Sequence, residues 1–77
     1  MYEVSLMPGE ETMPAYTMEE AMETAQNFAF VSGCNIYVLQ EGEEVAALIW
    51  HNRPAESEDE VTVNFGPRGF YGEWATL

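Results

Sequence analysis

Tyr2, Val4 and Leu6 alternate with Glu3 and Ser5 between Met1 and Met7, the period-two pattern of a half-buried strand, and Pro8-Gly9 ends it. Residues 8–16 carry two prolines, a glycine and the Glu10-Glu11 pair, and read as a connecting loop. Thr17 stands three residues before Glu20 in a T-x-x-E capping box: the hydroxyl accepts from a first-turn amide while the carboxylate reaches back toward the chain entering the helix. Met18, Ala21, Met22, Ala25, Phe28 and Ala29 then follow i, i+3, i+4, i+7 spacing, so one stripe faces a core. Glu19, Glu20, Glu23, Gln26 and Asn27 fall elsewhere on the surface. Ser32-Gly33 supplies a stop, since glycine takes the left-handed conformation that closes a helix, and the helix is predicted to run over about residues 18–31.

Cys34–Gln40 and Val45–His51 are β-branched and aromatic runs separated by Glu41-Gly42-Glu43-Glu44, the pattern of a hairpin. Val45–Trp50 is continuously apolar, which suits a central strand buried on both faces. Residues 52–60 hold Pro54 and the Glu56-Ser57-Glu58-Asp59-Glu60 run and read as a solvated loop. Val61, Val63 and Phe65 alternate with Thr62 and Asn64 as a further strand. The tail from Gly66 contains Phe70, Tyr71 and Trp74 and is a candidate final edge strand. The order β-α-β-β-β predicts a single α+β domain over 1–77, with one helix packed on a four- to five-stranded, mostly antiparallel sheet.

Composition changes this picture in two ways. A chain of 77 residues has room for one small core, burying about 60% of what the unfolded chain exposes. With 47% hydrophobic and 13% aromatic residues it is too apolar to remain disordered despite its charge. That charge is the second fact: 14 carboxylates stand against two arginines, Arg53 and Arg68, with no lysine, for a formal net charge of -12. The arginines are expected to pair with neighbouring acids. The excess repels nucleic acid and anionic membranes, so the expected partner is basic, and direct DNA or RNA binding is excluded. Cys34 is the only cysteine, so no intrachain disulfide forms. With no basic segment and long apolar run of a signal peptide, the expected compartment is the cytoplasm.

The inventory for catalysis is thin. His51 is the only histidine, ends a predicted strand, and reads as a solvent-facing or hydrogen-bonded structural residue. Cys34 has no basic neighbour in sequence to lower its pKa and reads as a small core residue. The 56–60 acids lack the D-x-[DN]-x-[DN]-G spacing of a calcium loop, and Gly66-Pro67-Arg68-Gly69 is not a phosphate loop. No catalytic, metal or cofactor site is expected, and the protein is read as no enzyme.

The acids are better read as a distributed surface. Glu10 and Glu11 lie in the first loop; Glu19, Glu20 and Glu23 crowd the helix; Glu41, Glu43 and Glu44 cap the hairpin; Glu56, Glu58, Asp59 and Glu60 form another cluster. Their bland purpose is solubility. Duplex DNA carries one charge per about 1.7 Å, however, so twelve charges match about 20 Å of duplex. In size, in these Glu-rich positions and in the lack of catalytic groups, the chain resembles the small acidic DNA-mimic proteins of phages and mobile elements, among them anti-CRISPR and anti-restriction proteins. The resemblance covers the chain compositionally, matches no motif and carries over no residue by position. It implies an inhibitor that occupies the basic DNA channel of a CRISPR-Cas surveillance complex or other defence nuclease and excludes target DNA. The competing reading is an acidic interaction module, an antitoxin, adaptor or regulatory subunit, anchored by Phe70, Tyr71 and Trp74 with Met7 and Met13 and rimmed by the acids.

Overall fold

The computed structural model describes residues 1–6, 11–51, 53, 63–64 and 71–77. In chain order the elements are β1 (Tyr2–Ser5), β2 (Met13–Ala15), α1 (Met18–Ser32), β3 (Ile36–Gln40), β4 (Glu43–His51), β5 (Val63–Asn64) and β6 (Tyr71–Thr76). The strands form one sheet in the order β2-β1-β3-β4-β6-β5, every neighbouring pair antiparallel. This is the expected α+β class, one helix packed on an antiparallel sheet. The two outermost strands, of three and two residues, are short additions at its edges.

The helix ends are set by the residues that mark them in the sequence. Thr17 is extended, and its Oγ1 accepts from the Glu20 amide at 3.1 Å. The Glu20 carboxylate reaches one residue beyond the cap, accepting from the Tyr16 amide at 3.1 Å. Gly33 closes the helix at φ 66°, ψ 30°, its amide donating to the Ala29 carbonyl at 2.8 Å. The helical residues buried against the sheet are all alanines, Ala21, Ala25 and Ala29. Side chains this small let the helix backbone approach the sheet closely, and the larger Met18 and Phe28 pack at the flanks of the same core. Beneath them lie Val4, Ile36, Val38 and Leu48, all fully buried.

The hairpin is tighter than a 41–44 turn. Gln40 pairs with Glu43, leaving Glu41 and Gly42 as the two central residues, both at positive φ (54° and 84°). That is the type I′ geometry whose twist matches the flanking strands. Between Val38 and Leu39 the register shifts: Val38 faces Ala46 while Leu39 faces Glu44, so Val45 is an extra residue. This bulge lets both Val45 and Ala46 pack into the helix-side core. Ala47 is buried on the opposite face, as expected of a central strand.

Several local readings need correction. Met13–Ala15, within the predicted loop, is strand β2; Pro14 is tolerated because the strand lies at the sheet edge. Leu6 is not on the inner face but 45% exposed, because β1 ends at Ser5, which is itself buried. Cys34 is exposed, because β3 starts only at Ile36 and Gly33 turns the chain away from the core just before it. Asn35 fills the gap at the strand's start, its Oδ1 accepting from the Trp50 amide at 2.8 Å. Strand β6 is not an edge, because Val63 and Asn64 pair outside it with Gly72 and Tyr71.

Candidate functional site

Register brings two acidic groups to one end of the sheet. Tyr2 pairs with Ala15 on one side and with Gln40 on the other, so the end of β2 and the end of β3 are level. Two residues beyond Ala15 the helix is capped, and one residue beyond Gln40 the hairpin turns. Glu19 and Glu20 in the first helical turn, Glu23 in the next, and Glu41, Glu43 and Glu44 around the turn therefore gather at the same end, all exposed. Glu3 joins them: it and Glu44 sit opposite Leu39 from its two sides, on the face of the sheet away from the helix. Among the described residues no arginine or lysine lies at this end.

Folding accounts for only part of this acidity. The amide dipoles at a helix N-terminus favour negative charge, which suits Glu19, and Glu20 additionally closes the cap. Among the described residues Glu23, Glu41, Glu43 and Glu44 have no partner of that kind. Glu41 even occupies a left-handed position that an L side chain other than Asn or Asp seldom takes.

The opposite end of β4 is built differently. His51 pairs with Tyr71 across β4 and β6 and stacks on it, ring centroids 4.5 Å apart and 12° from parallel. Its Nε2 lies 3.2 Å from Glu73 Oε2. The Arg53 guanidinium sits over the Tyr71 ring with Cζ 5.4 Å from the centroid. Tyr71 is only 2% exposed, and Trp74 packs against the core with its Nε1 buried. Tyr71 is thus buried within the sheet and Trp74 half-buried against the core. His51 has the hydrogen-bonded role read from its position.

Of the predicted site residues, the helix and hairpin groups are thus brought together. Glu11 is separated from them, since β2 starts level with Val4 and away from the hairpin. Glu10, Glu56, Glu58, Asp59 and Glu60 lie outside the described residues, as do Met7, Arg68 and Phe70. Among the described residues no group of three His, Cys, Asp or Glu side chains is arranged to hold a metal ion, and no helix is long and apolar enough to cross a membrane.

Sequence reasoning missed Glu3 and a second feature altogether. A groove of about 340 Å³ runs between β2 and the helix, lined by Met13, Thr24, Asn27, Phe28 and Val31. Its signal was present in Val31, an apolar residue three positions after Phe28 and off the core stripe. Comparison with protein families, with curated proteins and with solved structures finds no match to this chain.

Proposed function

We propose that the protein is a non-enzymatic inhibitor that imitates DNA, its acidic end entering the basic DNA-binding channel of a CRISPR-Cas surveillance complex or other defence nuclease in the bacterial cytoplasm. The observation that carries this reading is the convergence of six exposed glutamates, from two unlike elements, on one end of the sheet with no described lysine or arginine beside them. With Glu3 the group numbers seven carboxylates. At one charge per about 1.7 Å that matches about 12 Å of duplex, which fits a body whose shorter extents are 21 and 18 Å. Charge on this scale steers association with a basic channel and makes it steeply salt-dependent.

The test is a competition experiment against a panel of purified CRISPR-Cas complexes and defence nucleases, each with its labelled target DNA. The expected result is displacement of DNA from at least one of them, weakening as salt rises. Protein and DNA bound together without mutual effect throughout the panel, or no binding at all, would remove DNA mimicry. For the alternative of an acidic interaction module, Tyr71 is buried and Trp74 half-buried, while the exposed Met13 in the groove offers an apolar contact.

A further inference from the structure

We propose that the groove between α1 and β2 receives one bulky apolar side chain from a basic peptide segment of the partner protein; this inference rests on the acidic-end reading above. The groove is mainly apolar: Met13, Phe28 and Val31 form most of it, and Thr24 and Asn27 contribute the polar rim. Val31 is 80% exposed and Met13 48%; Met1, Leu6, Tyr16, Phe30 and Leu77 are exposed as well, but Met13 and Val31 are the two of these that line a groove. A volume near 340 Å³ lies at the small end of the range for ligand pockets, about 300–1,000 Å³, and suits one anchor better than an extended apolar ligand.

Charge selects the occupant. Glu20, Thr24, Asn27 and Val31 follow each other at spacings of four, three and four, so they share one stripe of the helix. The groove therefore continues directly into the acidic end through Glu20, and Glu23 stands one turn before Asn27. At the other end Glu11 lies two residues before Met13, and it too is exposed. An apolar side chain seated here has carboxylates on both flanks, and the complementary segment carries lysine or arginine on either side of its anchor. Two other occupants fit less well. A second copy of this chain would bring another net charge of -12 against the first. An added strand would find an edge of only three residues, one of them Pro14 with no N–H to give.

Three short synthetic peptides separate the contributions: one rich in lysine with a central Phe, the same with a central Ala, and a neutral Ser/Gln peptide with the Phe retained. Affinities are measured with the intact protein and with Val31→Ser, and amide chemical shifts locate the contact. The lysine–Phe peptide is expected to bind about tenfold tighter than the other two, the effect of one buried apolar anchor added to charge. Its shifts should centre on Met13, Phe28 and Val31, and Val31→Ser should reduce its affinity to that of the lysine–Ala peptide. Val31 is exposed, so this variant keeps its fold, which an unchanged melting temperature confirms. Equal binding of the two lysine peptides, with shifts confined to Glu19–Glu23 and Glu41–Glu44, overturns the groove proposal and leaves the acidic-end reading intact. Equal binding of the two Phe peptides removes the role of charge and overturns both. Absence of binding by all three overturns the groove proposal. A dimer in sedimentation that Val31→Ser dissociates assigns the groove to a second copy instead.

Discussion

Among the described residues, the two ends of the sheet handle charge in opposite ways. At the hairpin end, Glu23, Glu41, Glu43 and Glu44 face solvent with no described basic side chain among them. At the far end of β4, the histidine meets Glu73 and stacks on Tyr71, and the described arginine lies over the same ring. The described polar groups of the far end, His51, Arg53 and Glu73, make internal contacts that hold β4 against β6. At the hairpin end Glu20 closes the helix cap, whereas Glu23, Glu41, Glu43 and Glu44 make no such contact with a described residue and add self-repulsion, which salt screens over about 8 Å at physiological ionic strength. A fold selected for stability alone would treat both ends as it treats the far one. On the DNA-mimic reading proposed above, the hairpin end is the one a basic partner would complete.

The sharpest way to break the comparison is to reverse charge at one end and then at the other. Glu23, Glu41, Glu43 and Glu44 changed together to lysine leave the Thr17–Glu20 cap untouched. Binding to any complex found by the competition assay should then fall at least about a hundredfold, roughly 2.8 kcal/mol. The melting temperature should hold or rise as like charges are dispersed. Glu73→Gln at the far end should leave affinity within about twofold, because its carboxylate already serves His51. Equal losses from the two ends, read by titration at one salt concentration, would return the acidity to general solubility.

A second substitution tests whether the helix and the hairpin must be held together. Ala25 is fully buried in the middle of the alanine stripe, and leucine there forces the helix off the sheet. The expected cost is about 1–3 kcal/mol for overpacking. For a chain of this size that lowers the melting temperature by about 4–8 °C per kcal/mol. If the acidic end acts as one surface, affinity also drops although no carboxylate has changed. If binding survives in full below the melting transition, the helix and hairpin acids act separately. At the far end, His51→Ala removes a stacked ring and one hydrogen bond, worth about 0.5–1.5 kcal/mol for the aromatic pair. Thermal unfolding should show that loss, with binding unaltered.

These experiments depend on proximities that only part of the sequence declares. The helix was legible because three independent signals agree at its ends and along its face: Thr17 with Glu20, the alanine-centred stripe, and Gly33. The central place of β4 was legible in its unbroken apolar run. Strand β2 was hidden because three residues are too few to show a period and Pro14 argues locally against a strand. The bulge at Val45 leaves no mark on composition, since Val45 reads as the first residue of the apolar run Val45–Trp50. The inner position of β6 depends on β5 returning outside it, a choice made by pairing and not by the tail's own residues. For the site, each glutamate of the helix and hairpin groups was identifiable. That they share an end was not, because it follows from Tyr2 being level with both Ala15 and Gln40. Local periodicity carries no information about such cross-strand levels.

The smallest expected effect lies at Glu41, where the fold and the proposed function make opposite demands. At φ 54° this residue holds the first central position of a type I′ turn, a conformation that asparagine takes more readily than glutamate. Glu41→Asn creates the Asn-Gly pair that such turns favour, and should raise stability by about 0.5–1 kcal/mol. It also removes one carboxylate from the acidic end, so affinity for the basic partner should fall about two- to fivefold, below about 1 kcal/mol. Chemical denaturation and a binding titration on this one variant therefore move in opposite directions. A gain in stability with affinity unchanged would mean that the turn's charge lies outside the contact, and would shift the acidic surface toward Glu19, Glu20 and Glu23. No change in stability would mean that the turn relaxes around asparagine without relieving the glutamate's left-handed backbone.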